Sequence, residues 1–113
     1  MPRRMSAKNR ERVMELVRAN PEDLGPQFGL MSIKYNLPPE ALAQQLDVSL
    51  STIYTWFYGM AKPHESSLKN ANKLLVILRR ALLAHEFPLE GTNDKRIELL
   101  NDVIRRHMTA SRR

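Results

Sequence analysis

Proline and glycine divide this chain into short segments, and the longer segments have helical periodicity. A residue that precedes proline is driven out of the helical region of backbone space, so Asn20-Pro21, Leu37-Pro38 and Phe87-Pro88 mark helix ends. No segment between these breaks alternates apolar and polar residues with the period of two that a half-buried strand requires. The sequence therefore predicts an all-α domain of five to six helices.

Apolar spacing and capping residues predict where the helices lie. We expect helices over residues 7–19, 27–35, 39–46, 50–58, 65–86 and 93–108. Ser6, Ser49 and Thr92 are suited to cap helix N-termini, and Gly59 is suited to end a helix in the left-handed conformation. The chain divides into a basic arm and helix over residues 1–20, a central unit over 21–86 and a helical segment over 87–113, which is a candidate oligomerisation element.

The positive charge of the chain is concentrated on either side of its centre. The net charge is +6 and the isoelectric point is about 10.1. Residues 1–19 and residues 62–80 each carry +4, whereas residues 20–61 carry −3. Cationic side chains displace the counterions that condense on phosphates, so this distribution favours a polyanionic partner. A generic solubilising surface is the alternative.

Composition excludes several kinds of site. The chain has no cysteine, so it offers no disulfide, zinc–cysteine site or thiol nucleophile. Its three histidines, His64, His85 and His107, lack the spacing of metal ligands, and its four glycines form no phosphate-binding loop. We therefore expect no catalysis, no metal or other cofactor, and no small-molecule effector.

The sequence also lacks membrane and export signals. No stretch approaches the ~20 apolar residues that span a bilayer. The basic N-terminus is not followed by the apolar segment of a secretory signal. The absence of cysteine fits a reducing compartment, so we expect a cytoplasmic protein without a membrane partner.

Residues 39–59 contain two short helical patterns joined by the tight turn Asp47-Val48-Ser49. Their apolar residues are spaced to close one shared wedge: Leu42, Ala43, Leu46, Val48, Ile53 and Trp56. Ala43 lies where two steeply crossed helices come closest, so only a small side chain fits there, and Trp56 is expected in the core. The outward face is left to Leu50, Ser51, Tyr54 and Thr55, where a major groove can receive it.

This segment resembles the lambda-repressor/Cro-like (XRE-type) helix-turn-helix family of DNA-binding domains. The family pattern is matched in register at Leu42, Ala43, Leu46, Val48, Ser49, Thr52, Ile53, Trp56 and Gly59. The departure is Asp47, where the family usually has glycine; aspartate tolerates a left-handed backbone better than most residues. The resemblance covers about residues 24–84 and implies a lambda-repressor-like domain, with an additional C-terminal helix in this chain.

The resemblance also implies which residues contact DNA. The positions that correspond to base contacts are Leu50, Ser51, Tyr54 and Thr55. None of them is an arginine, glutamine or asparagine that can bind a base through two hydrogen bonds, so DNA shape or flanking arms are expected to contribute to specificity. Candidate phosphate contacts are Ser49, Thr52 and Lys62, together with Arg3 and Arg4 of the basic arm.

The implied function is sequence-specific binding of double-stranded DNA, as a transcriptional regulator of bacterial, phage or plasmid origin. A homodimer is expected because pairing two recognition helices across a palindrome multiplies affinity and specificity. The apolar segments 74–83 and 97–108 are candidate interfaces, since they are more hydrophobic than one small core requires. Two alternatives remain: the DNA-recognition small subunit of a phage packaging terminase or other DNA-processing machine, and a protein-interaction adaptor that uses the fold as a scaffold.

Overall fold

Six helices make up the computed structural model, which describes residues 5–110. They are α1 (Ala7–Ala19), α2 (Leu24–Tyr35), α3 (Pro39–Gln45), α4 (Leu50–Phe57), α5 (Glu65–Leu83) and α6 (Asn93–Ala110). The described residues form no strand, so the predicted all-α fold is confirmed. Within the same residues, no helix combines the length and the apolar character that crossing a bilayer would demand.

The predicted helix bounds are right for α1, wrong by three residues at the start of α2 and at the end of α5, and wrong by one or two residues at the ends of α3, α4 and α6. α1 has the predicted bounds, and the Ser6 hydroxyl accepts the Asn9 amide at 3.1 Å. α2 begins at Leu24 rather than at residue 27, because Pro26 lies in the first turn, where a helix needs no amide hydrogen. α5 ends at Leu83 rather than at residue 86, because His85 adopts a left-handed φ of 61°.

Two glycines on one face of α2 allow that helix to lie directly against α4. A Cβ atom built on Gly25 would be 2.3 Å from the Trp56 carbonyl oxygen, which is closer than any side chain allows. One turn later, a Cβ on Gly29 would be 3.1 Å from Phe57 Cβ and from Val13 Cγ1. The backbones of α2 and α4 thus approach at a distance that only glycine permits at position 25.

The hydrophobic core draws on all six helices. Its most deeply buried side chains include Val13 of α1, Phe28 of α2, Leu42 of α3, Ile53 and Phe57 of α4, Leu78 of α5, and Leu100 and Ile104 of α6. α1 and α6, which lie outside the predicted central unit of residues 21–86, therefore share its core. Much of the apolar surface of segments 74–83 and 97–108 is buried in this packing, but Val76, Leu83 and Met108 stay exposed at 46%, 79% and 41%, so an interface in these segments remains a prediction.

The loop between α5 and α6 is docked on the end of α2. The Leu89 amide donates to the Tyr35 carbonyl at 2.9 Å, and Asn36 Nδ2 donates to the Leu89 carbonyl at 3.3 Å. These contacts place the start of α6 beside the start of α3, where Asn93 Nδ2 donates to Glu40 Oε2 at 2.8 Å.

The far end of α6 is attached to the end of α5 through Glu86. Its carboxylate lies 2.5 Å from His107 Nε2 and 2.6 Å from an Arg106 guanidinium nitrogen. Partial burial raises the pKa of Glu86, but the hydrogen bonds from His107 and Arg106 outweigh it, so the pKa lies below its ordinary value. The two attachments fix both ends of α6.

Gly25→Ala should destabilise the fold by about 2 kcal/mol or more, because the new Cβ meets backbone that cannot rotate away. Gly29→Ala is the matched control: it meets only side-chain atoms at 3.1 Å and gains about 1 kcal/mol of helix propensity. Urea unfolding of both variants measures the difference. An equal loss of stability in both variants, or no loss of stability in Gly25→Ala, would contradict the close approach of α2 to α4.

Candidate nucleic-acid interface

A left-handed turn joins α3 to α4. Asp47 has a φ of 54°, which is the backbone conformation that the sequence predicted at this glycine-favouring position. The next residue closes the turn, since the Val48 amide donates to the Ala43 carbonyl at 3.0 Å. The pair α3 and α4 therefore forms a helix-turn-helix.

The inner face of this helix pair is packed as predicted, except that Val48 is only partly buried. Leu42, Ala43 and Leu46 of the first half and Ile53 and Trp56 of the second half are buried. The lone tryptophan, Trp56, is only 3% exposed, so it serves the core rather than stacking on a ligand. Because Ile53 and Trp56 are buried, the opposite side of α4 faces away from the rest of the protein.

Two hydroxyls cap the N-terminus of α4. Ser49 Oγ accepts the Thr52 amide at 3.0 Å and donates to Thr52 Oγ1 at 2.9 Å. This confirms Ser49 as the N-cap. The first-turn amides of a helix have no partner within the helix, so this end of α4 has the polarity that attracts an anion such as phosphate.

The structure divides the four candidate base-contacting residues into two pairs. Leu50, at 37% exposure, and Ser51 are exposed on the N-terminal half of α4. Thr55 and Tyr54 are half-buried, and the Thr55 hydroxyl donates to the Thr52 carbonyl at 2.6 Å. Leu50 and Ser51 are therefore the most accessible of the four.

Tyr54 belongs to an aromatic cluster on the side of α4 that faces α1. The Tyr54 ring meets the Phe57 ring edge-on, with the ring centroids 5.6 Å apart, and stacks on the Tyr58 ring, with the centroids 5.9 Å apart. Burial is the main cause that raises the pKa of the Tyr54 phenol, and the neighbouring Tyr58 and Glu40 raise it further. Burial also raises the pKa of Tyr58, and a hydrogen bond from Asn9 partly opposes that rise.

α1 lies alongside the C-terminal end of α4, which the sequence did not predict. Arg12 Nε donates to the Tyr58 carbonyl at 3.1 Å, and Asn9 hydrogen-bonds the Tyr58 side chain. Leu16 covers Gly59, where an added Cβ would be 3.1 Å from its Cδ1. Residues 9, 12 and 16 share one face of α1, but two of them are polar, so hydrophobic periodicity gave no signal for this contact.

Positive charge lies beside α4 rather than on it. Residues Leu50–Phe57 include no charged side chain. Arg12 is held at the C-terminal end of the helix, and Lys62, one of the predicted phosphate contacts, is exposed in the loop that follows. The other two predicted basic contacts, Arg3 and Arg4, lie outside the described residues.

Comparison of the chain with protein-family models, with curated proteins and with solved structures found no match. Among residues 5–110, no three or more histidine, aspartate or glutamate side chains are grouped so that they can hold a metal ion. A functional assignment must therefore come from the geometry around α4 itself.

Asp47→Ala should destabilise the protein by about 1 kcal/mol, because alanine has neither the freedom of glycine nor the local hydrogen bonding of aspartate in the left-handed region. Asp47→Gly should be as stable as the parent or slightly more stable. Thermal and urea unfolding of the two variants test this. If both variants lose the same stability, the carboxylate rather than the backbone conformation matters at this turn.

Proposed function

We propose that the chain binds double-stranded DNA by inserting α4 into the major groove, and that it is a lambda-repressor-like transcriptional regulator acting in the cytoplasm. The supporting observation is the helix-turn-helix itself. Trp56 and Ile53 bury the inner face of α4, while Leu50 and Ser51 are exposed at the end that follows the turn. The N-terminal residues of a recognition helix are those that contact base edges in this mode of docking.

The exposed side chains of α4 determine which base edges the helix can recognise. Leu50 can contact only thymine methyl groups, whereas the Ser51 hydroxyl can donate to or accept from a base edge. The Thr55 hydroxyl already donates to the Thr52 carbonyl, so it is left to accept a hydrogen bond from an adenine or cytosine amino group. With no side chain that forms two hydrogen bonds to one base, this readout is modest, and DNA shape adds to it.

Phosphate contacts would come from the two ends of α4. At its start, Ser49 donates its hydroxyl hydrogen to Thr52, which leaves the Thr52 hydroxyl to donate to a phosphate. At its other end, Arg12 and Lys62 supply positive charge. Arg3 and Arg4 extend this charge in the sequence and remain predicted contacts. Such contacts position the helix in the groove without reading sequence.

We further propose that two copies bind one palindromic site. One short recognition helix buries limited surface, and a second copy multiplies both affinity and specificity. Most large apolar side chains of α5 and α6 are at least partly buried, with Leu68, Val76, Leu83 and Met108 as exceptions, so the DNA itself contributes much of the dimerisation in this proposal. A mass of two chains per duplex is expected, whereas a larger ring would favour the packaging-machine alternative.

Duplex affinity should be strongly salt-dependent, because each Lys or Arg contact with phosphate releases counterions. With several contacts per protomer, affinity should fall by about 10³ between ~50 and ~200 mM salt. Lys62→Gln should reduce the slope of log affinity against log salt by about one for each bound protomer.

The matched control for that titration is Arg105→Gln, which removes the same charge from the exposed side of α6 and should leave the slope unchanged. Fluorescence anisotropy with a labelled duplex at four or more salt concentrations gives both slopes. A flat salt response would exclude DNA as the main partner. Equal effects of the two variants would remove Lys62 from the interface.

A further inference from the structure

A cleft of about 520 Å³ opens beside α4, and the proposed DNA contacts do not use most of it. The starts of α1, α3 and α6 surround it together with the end of α2, and Tyr54 of α4 completes the wall. A cleft of this volume is within the range that holds small organic ligands. Because its lining comes from five helices and the loop before α6, no contiguous sequence motif marks it.

The polar part of the cleft carries a net positive charge. Arg10 and Arg96 line it against a single carboxylate, Glu40, and one oxygen of that carboxylate accepts a hydrogen bond from Asn93 at 2.8 Å. Glu40 therefore neutralises at most one of the two guanidinium groups. The remaining charge favours an anion.

The guanidinium group of Arg96, which lines the cleft, suits the same kind of ligand. Its Nε is buried and finds no hydrogen-bond acceptor among the described residues. A buried donor without an acceptor is destabilising, and a charged one more so. A molecule in the cleft cannot reach this Nε, which has almost no exposed area, so a carboxylate there would accept from the terminal nitrogens of Arg96; guanidinium groups bind carboxylates through two parallel hydrogen bonds.

The rest of the lining combines polar residues, among them Ser32, Asn36 and Thr92, with an apolar part. Met5 and Ile33 face the cleft, as do Leu37 and the prolines at the start of α3. We propose that the cleft binds a small organic carboxylate with an apolar body, whose carboxylate accepts from Arg96 and Arg10 while the body packs on Met5 and Ile33. A bare inorganic anion would leave that apolar lining without a contact.

The same ligand contacts the recognition helix, since Tyr54 lies in the cleft wall. Tyr54 stacks on Tyr58 at 5.9 Å, and Tyr58 in turn binds Asn9 and Arg12 of α1. Occupancy of the cleft therefore acts on the contacts between α1 and Tyr58, the residue that follows α4, and changes DNA affinity. This consequence for DNA rests on the proposed function; binding of the carboxylate does not.

Binding is tested by following the backbone amide signals of the ¹⁵N-labelled full chain while benzoate is added. Saturable shifts at residues 92–96 and at Tyr54 are expected. Benzyl alcohol, acetate and inorganic phosphate are the comparison probes, and each should bind at least about tenfold more weakly, because each lacks either the carboxylate or the apolar body. Equal binding of benzyl alcohol or of phosphate, or shifts that do not saturate with benzoate, would overturn the proposal.

Arg96→Gln should weaken benzoate binding about tenfold, and Arg96→Lys should weaken it too, because lysine keeps the charge but loses the planar guanidinium that pairs with both carboxylate oxygens. Arg105→Gln, on the same helix outside this cleft, should bind benzoate like the parent. If both Arg96 variants bind like the parent, the assignment of Arg96 is wrong. Unfolding temperatures establish that all three variants are folded.

The effect on DNA is measured with saturating benzoate and a labelled duplex. A changed dissociation constant in the parent, but not in Arg96→Gln, is expected. An unchanged constant despite benzoate binding would overturn the effector role. If the duplex is not bound under any condition, the proposed function fails, while the amide titration still decides whether the cleft binds carboxylates.

Discussion

The position of α4 depends on the contact between Gly25 and the backbone of Trp56. With no Cβ atom at residue 25, α2 lies close enough to α4 that an alanine carbon there would be 2.3 Å from the Trp56 carbonyl oxygen. This approach brings Phe28 of α2 into the core with Trp56 and Phe57 of α4. The inner face of α4 is then fully occupied, and its other face is available for a partner.

Much of the helix-turn-helix was predictable because its signals are local. The Ser49 cap, the left-handed backbone at Asp47 and the burial of Trp56 each follow from a few neighbouring residues, and the structure confirms all three. Asp47 shows the limit of a sequence pattern: the pattern that this segment resembles usually has glycine at the turn, yet the left-handed φ, 54°, is adopted by aspartate here. A residue type can change while the backbone conformation it must adopt does not.

The surroundings of α4 were not predictable, because long-range polar contacts make them. Arg12 binds the Tyr58 carbonyl across 46 residues of sequence, and Asn36 reaches Leu89 across 53. Neither contact has a periodicity that a single sequence displays. The same is true of the cleft, where Arg10 and Arg96 come from opposite ends of the chain. Most apolar residues of α5, which suggested an interface, belong to the core, but Leu68, Val76 and Leu83 are exposed.

Selection of bound sites from a pool of random duplexes tests most directly whether α4 reads DNA. The account predicts one enriched sequence with two inverted half-sites about one helical turn, ~10 base pairs, apart. Ser51→Ala should relax the preference at one position in each half-site and leave the other positions unchanged, because only the Ser51 hydroxyl is lost. A pool with no enriched sequence, or an enriched site that Ser51→Ala leaves unaltered, would contradict the reading of α4 as the recognition helix.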